Sequence, residues 1–337
     1  MTAPAAPPPQ ATVMQMMMAA WSSQTISTVT RLGVPDLVSR HGPLTARQLT
    51  ETYRVDAQTA LLERALRACA SVGIFTESAD GRFGPTPLSE VLVDGAPGSV
   101  RQFVELIGDR WWAPFGALAG ILKSGQPGER EPEAIDERRA EQFAAAMRSR
   151  ADSTRGVVEH ADLGRARTLV DVGGSFGHVA IALLERHPHL RACVLDLPDV
   201  VRLADRWIAG ASEDVRPRLS FAGGDMFVDV PPGDTYLVKT IMHDWDDARC
   251  VRLLQNCRAR LADGGRILGV DNVLPPMGDT GASGTKLLDM LMMVVLPGKE
   301  RTEAEWRALY AAAGLRVTAI TPINPRSVEC LIEGVPA

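Results

Sequence analysis

Thr168-Leu169-Val170-Asp171-Val172-Gly173-Gly174-Ser175-Phe176-Gly177 is a short apolar run ended by a glycine-rich turn. The residues after it, 179–186, read as a helix. Four similar apolar runs follow, at 192–196, 219–223, 235–241 and 266–271, with helical stretches at 200–208 and 248–261 between them. Continuous apolar strands alternating with helices predict a parallel sheet covered on both faces. The tail, 315–320 and 328–332, predicts two further strands as an antiparallel edge pair. The fold class is therefore α/β, a doubly wound Rossmann-like sheet.

Upstream the texture is helical. Residues 1–11 are rich in Ala and Pro and read as a disordered tail. Met14, Met17, Met18, Trp21, Thr25, Ile26 and Val29 recur at three- and four-residue steps, which predicts an amphipathic helix for a core or a dimer contact. Thr45 and Gln48 fit a capping box, and a helix over 58–72 ends at Gly73. Residues 74–77, a turn at 79–81 and residues 82–85 form a hairpin pattern. Helix, helix, hairpin is a winged-helix order, which raises DNA binding. Arg64 and Arg67 are accompanied by Glu63, and no basic stripe surrounds them, so phosphate neutralisation is lacking. The division expected is a tail (1–11), a winged-helix-like domain (12–100), a helical linker (101–160) and the α/β domain (161–337), to which the resemblance described below adds dimerisation, substrate-pocket and catalytic roles for the last three in turn.

The 337 residues carry a formal net charge of -5, which disfavours nucleic acid and anionic membrane as partners. No apolar run has membrane-spanning length, and the start lacks a signal-peptide pattern. Five dispersed cysteines, with no paired spacing, argue against disulfides and against a zinc or other metal site. The expectation is a reduced, cytoplasmic protein.

The glycine turn permits close backbone approach to a ligand, and Asp196 at the next strand end is placed for the two hydroxyls of a ribose. Two other readings use the same letters. Gly173-Gly174-Ser175-Phe176-Gly177 fits a hydrolase nucleophile elbow, but the order of residues around His243 does not suit that triad. A nicotinamide site needs a second glycine where Ser175 stands.

Three more segments narrow the class: Gly224-Asp225-Met226-Phe227, then Val238-Lys239-Thr240-Ile241-Met242-His243-Asp244-Trp245-Asp246-Asp247, then Gly298-Lys299-Glu300-Arg301-Thr302. With Asp171-Val172-Gly173-Gly174 and Leu195-Asp196-Leu197-Pro198, the chain closely resembles the S-adenosylmethionine-dependent small-molecule O-methyltransferases of plant phenylpropanoid and bacterial antibiotic pathways. The resemblance covers nearly the whole chain and implies a Rossmann-like methyltransferase domain, a winged-helix N-terminal domain and a homodimer. It implies S-adenosylmethionine as cofactor. Asp171, Gly173 and Gly174 would form the loop at its methionine part, and Asp196 would take the ribose. Asp225, Met226 and Trp245 would lie at the adenine, and Lys239 near the carboxylate. His243 would be the general base, held by Asp271 and Glu300. The acceptor would lie between the domains against Phe143, Met147, Met290 and Met293, with Trp111 or Trp112 nearby. The chain departs from the plant pattern in carrying Asp271 for Glu, Ser175 and Phe176 for small residues, and a short segment between Trp112 and Phe143. Asp244, Asp246 and Asp247 are expected to cap the following helix.

These residue types suit methyl transfer. A phenol, with a pKa of about 10, is a poor nucleophile at neutral pH, and a neutral imidazole can take its proton during attack. A carboxylate on the far ring nitrogen fixes the tautomer. Methionine and aromatic walls without clustered cations predict a hydroxylated aromatic or polycyclic acceptor. Methylation of nitrogen or carbon, non-methylating use of the same cofactor, and a ligand-sensing regulator are the competing functions.

Overall fold

The computed structural model describes residues 7–128, 137–148, 151–208, 211–324 and 327–337. Two compact units divide the chain: residues 1–113 with 145–149, and residues 114–144 with 150–337. Residues 129–136, in the short segment after Trp112, lie outside the described residues.

The first unit opens with α1 (Pro9–Arg31). It begins inside the stretch expected to be a disordered tail, because proline is tolerated at the first helical position, where its missing N–H has no intrahelical partner. Val29 is buried, but Met14, Met17, Met18 and Trp21 are exposed, so only the C-terminal part of this helix serves its own unit's core. Then come α2 (Val34–His41), β1 (Leu44–Thr45), α3 (Thr59–Ser71), β2 (Thr76–Glu77), β3 (Arg82–Gly84), α4 (Pro87–Glu90) and α5 (Arg101–Asp109). The Thr45–Gln48 cap forms, with the Thr45 amide donating to Gln48 Oε1 at 2.9 Å. The hairpin β2–β3 forms, and β1 adds to it as a third strand. Arg67 of α3 is tied to Glu77 at 3.1 Å.

The second unit holds α6 (Leu118–Ser124), α7 (Glu137–Arg148), whose last residues count with the first unit, and α8 (Ala151–His160). The sheet follows: β4 (Thr168–Val172), α9 (His178–Arg186), β5 (Arg191–Asp196), α10 (Pro198–Ile208), β6 (Leu219–Gly223), β7 (Gly233–Lys239), α11 (Asp247–Ala259) and β8 (Leu261–Leu274). The chain closes with α12 (Ser283–Val295), β9 (Arg301–Thr302), α13 (Glu303–Ala312), β10 (Leu315–Pro322) and β11 (Glu329–Pro336). The strand order is β10-β11-β8-β7-β4-β5-β6, with β9 beside β8. Strands β8 to β6 of this order run parallel, and β10 and β11 are antiparallel, as their sequence predicts.

Alternation along β4 explains why its run is apolar throughout. Leu169 packs with Val179, Leu183 and Leu184 of α9 on one face. Val170 and Val172 pack with Leu253, Leu254 and Trp306 on the other. Each fully buried Leu or Val contributes about 1.5–3 kcal/mol. Phe176 joins the packing with Ala144, Ala204 and Phe221. From β4 the chain winds outward through β5 and β6, then returns to the other side of β4 with β7. That reversal places a crevice at the carboxyl ends of β4, β5 and β7, where ligands of such sheets bind.

Candidate active site

The three strand ends at this crevice carry Gly173, Asp196 and Lys239. Gly173 adopts φ +68, in the left-handed region, and a Cβ there would also strike Ile241. Asp196 is oriented by two backbone amides: Ser175 N–H donates to Oδ2 and Leu197 N–H to Oδ1, each at 2.8 Å. Asp171 is buried beneath the loop, and burial pushes its carboxyl up to about 7 against the opposing charge of Lys239. At the next strand end Asp225 is exposed and its Oδ1 accepts from the Phe227 amide at 2.9 Å. Met226 is half-buried, and its carbonyl accepts from Asn256 Nδ2 at 2.9 Å. Phe227 meets Trp245 edge-on at 4.8 Å, and Arg249 lies over the Trp245 ring.

Thr240, in the left-handed region at φ 55, turns the chain out of β7 into a single helical turn, Met242–Asp244. Met242 is fully buried and anchors this turn, so His243 is held at the carboxyl end of β7 and is itself buried. Its Nδ1 donates to Glu300 Oε1 at 2.8 Å. In the neutral ring that assignment leaves Nε2 as the acceptor nitrogen. Glu300 is buried, not a surface charge, and its own amide donates to Asp289 Oδ1 at 2.8 Å. Gly298 makes the pairing possible, because a Cβ there would overlap the His243 carbonyl.

The expectation that two acids hold His243 divides. Glu300 does so by hydrogen bond, whereas Asp271 Oδ1 stands 4.0 Å from Nδ1. Among the described residues neither buried Asp271 oxygen has a hydrogen-bond partner. Burial pushes Asp271 up to about 7. Burial alone would lower the His243 pKa. The Glu300 bond and the charges of Asp271, Asp244 and Glu300 outweigh it and raise the pKa to about 9.

The aspartates after His243 have three different tasks rather than one. Asp246 caps α11 by accepting from the Arg249 amide at 2.8 Å. Asp244 Oδ1 stands 3.4 Å from His243 Nε2. Asp247 pairs with Arg301 at 2.7 Å and Lys299 at 3.4 Å. The charges alone predicted capping for all three, and only the fold distinguishes them.

Of the expected acceptor wall, Met290 and Met293 lie half-buried on α12, on the unit that carries His243, and Phe143 is more than a third exposed. Trp111 and Met147 belong to the first unit.

A doubly wound sheet with a buried imidazole–carboxylate pair at its crevice is an enzyme scaffold. Comparison with known proteins supplies the family. Residues 127–316 match the O-methyltransferase domain, and residues 14–95 match the O-methyltransferase dimerisation domain. The phenazine O-methyltransferase of Lysobacter antibioticus is 33% identical over 92% of this chain and 92% of its own. Among solved structures, a mitomycin 7-O-methyltransferase superposes with a TM-score of 0.88 at 30% identity, covering 97% of this chain and 98% of that one. An O-methyltransferase of neocarzinostatin biosynthesis, solved with S-adenosylmethionine and 2-hydroxy-5-methyl naphthoic acid, gives 0.81 at 27% identity, over 94% and 96%. The chain belongs to the O-methyltransferase family, and it is a methyl-transferring enzyme.

Proposed function

We propose that the protein transfers a methyl group from S-adenosylmethionine to a hydroxyl of an aromatic or polycyclic small molecule of secondary metabolism, with His243 as general base. The observation that carries this reading is the buried His243–Glu300 hydrogen bond of 2.8 Å beside the crevice. The crevice residues fit the cofactor. Asp196 has the chemistry and orientation to accept from two ribose hydroxyls, Gly173 and Gly174 let the backbone approach the methionine part, and Lys239 suits its carboxylate. Asp225 suits the adenine amino group, with Met226 and Trp245 as apolar flanks, and Asp171 supports the loop from below. When bound, S-adenosylmethionine supplies an electrophilic methyl group on a sulfonium sulfur.

The chain's own residues then do three things. Glu300 holds the Nδ1 proton of His243, so Nε2 faces the reaction as an acceptor. His243 Nε2 takes the hydroxyl proton as the oxygen attacks. Asp271, at 4.0 Å, acts on the ring through its charge and not through a hydrogen bond. Met290, Met293 and Phe143, on the unit that carries His243, supply the apolar acceptor wall in this reading.

The exposed Met16, Met17 and Trp21 of α1, at 70%, 62% and 68% exposure, supply an apolar surface for a homodimer. Among the described residues no helix is long and apolar enough to cross a membrane.

Incubation with methyl-labelled S-adenosylmethionine and a panel of hydroxylated aromatics, including aminophenols, tests the reaction class. Label on a hydroxyl oxygen is expected. Label delivered to nitrogen or carbon overturns the oxygen assignment.

A further inference from the structure

Arg301 follows Glu300 directly and is fully buried. A buried guanidinium is costly unless its N–H groups find acceptors. Here Nη1 donates to the Met242 carbonyl at 2.9 Å and the Lys299 carbonyl at 3.3 Å. Nη2 donates to the Trp245 carbonyl at 2.9 Å, and Nε and Nη2 both reach Asp247 Oδ1, at 2.9 and 2.7 Å. The guanidinium carbon lies 5.3 Å from the Trp306 ring centre, and Trp306 is fixed by its bond to the Asn272 carbonyl at 3.1 Å. Met242, Trp245 and Asp247 bracket His243, and Lys299 precedes Glu300. What these bonds fix is the relative place of the two loops that carry the pair.

We propose that Arg301 is a positioning residue for methyl transfer, whose buried guanidinium locks loop 242–247 against loop 298–301 and so sets the His243–Glu300 hydrogen bond. The inference rests on the reading of His243 as general base. The site calls for arginine in particular. A planar fork of five donors can serve four separate acceptors at once, whereas a lysine ammonium is a compact point charge with three. A lysine here keeps the charge and loses the geometry. Asp247 offers a gentler perturbation, because its side chain is 57% exposed and can be shortened without opening the core.

The test follows the ring titration of His243 by NMR in full-length protein carrying labelled histidine. Wild type, Arg301→Lys, Arg301→Met, Asp247→Ala and Glu300→Gln are compared. The His243 signal, one of six, is assigned by its loss in His243→Asn. Wild type should titrate well above the ordinary histidine range. Arg301→Lys should titrate lower, in the direction of Glu300→Gln, with Asp247→Ala moving the same way by less. Turnover of an acceptor found by the label screen should fall about 10²-fold in Arg301→Lys, as misplacement of order an ångström costs. Wild-type titration and turnover in Arg301→Lys and Asp247→Ala overturn the proposal, whether or not Arg301→Met folds. Normal turnover in His243→Ala removes the general-base reading alone, and the ring titration still decides the positioning claim without reference to activity.

Discussion

Replacing His243 by Ala lowers turnover by about 10²–10⁴-fold, the range that a positioned general base contributes. Affinity for S-adenosylhomocysteine stays nearly unchanged, because the imidazole, bonded to Glu300, is assigned to proton transfer and not to holding the cofactor. The buried ring also sets a pH signature. Its pKa is raised from the ordinary 6.5 to about 9, so the proton-accepting form grows as pH rises through that interval. Turnover in wild type therefore increases with pH, along a limb that lies above 6.5 and not above about 9. A cationic methyl donor disfavours a second positive charge and draws the limb downward within that window. His243, Asp271 and Glu300 interact closely, so the limb belongs to the cluster rather than to one group. In His243→Ala the limb should vanish. Steady-state rates across pH at saturating cofactor check both features, and a variant that keeps wild-type turnover or the same limb ends the general-base assignment.

Asp196→Ala should have the other large effect, and it falls on binding instead of chemistry. Hydrogen bonds to a charged partner contribute about 1.5–3 kcal/mol each, so losing two ribose contacts weakens the cofactor by about 10²-fold or more. The variant also frees the Ser175 and Leu197 amides that Asp196 orients at 2.8 Å, loosening the glycine loop itself. Calorimetry with S-adenosylhomocysteine measures this directly. Equal affinity in wild type and variant would remove Asp196 from the cofactor site.

The parallel strands were legible because each is buried on both faces and therefore reads as an unbroken apolar run, as Thr168–Val172 does. The helices α12 and α13 and the short strand β9 fall outside the expected elements: the apolar run 290–295 of α12 entered only as an acceptor wall, α13 mixes apolar and charged residues, and β9 is two residues long. Pro9 to Ala11 have the composition of a tail, but composition does not register that a proline fits the first helical turn. In the site, His243 and Glu300 were identified through motif resemblance. Their contact joins residues 57 positions apart, and no local pattern encodes it. Arg301 lies in the segment 298–302, and no letter there points to its role, because most of the carbonyls it serves lie more than 50 positions away. Asp247 was read as a helix cap for the same reason: its partner Arg301 lies 54 positions on. Whether Asp271 bonds the ring depends on the placement of β8 against the 242–244 turn, which the letter Asp does not encode; the separation is 4.0 Å.

A crystal structure of the protein with S-adenosylhomocysteine tests the central claim most directly. The account predicts the ribose hydroxyls on Asp196, the amino acid end over Gly173 and Gly174, and His243 Nε2 open toward the sulfur with Nδ1 still bonded to Glu300. A nucleoside seated away from Asp196, or a His243 ring turned from the sulfur with its Glu300 bond broken, would contradict it.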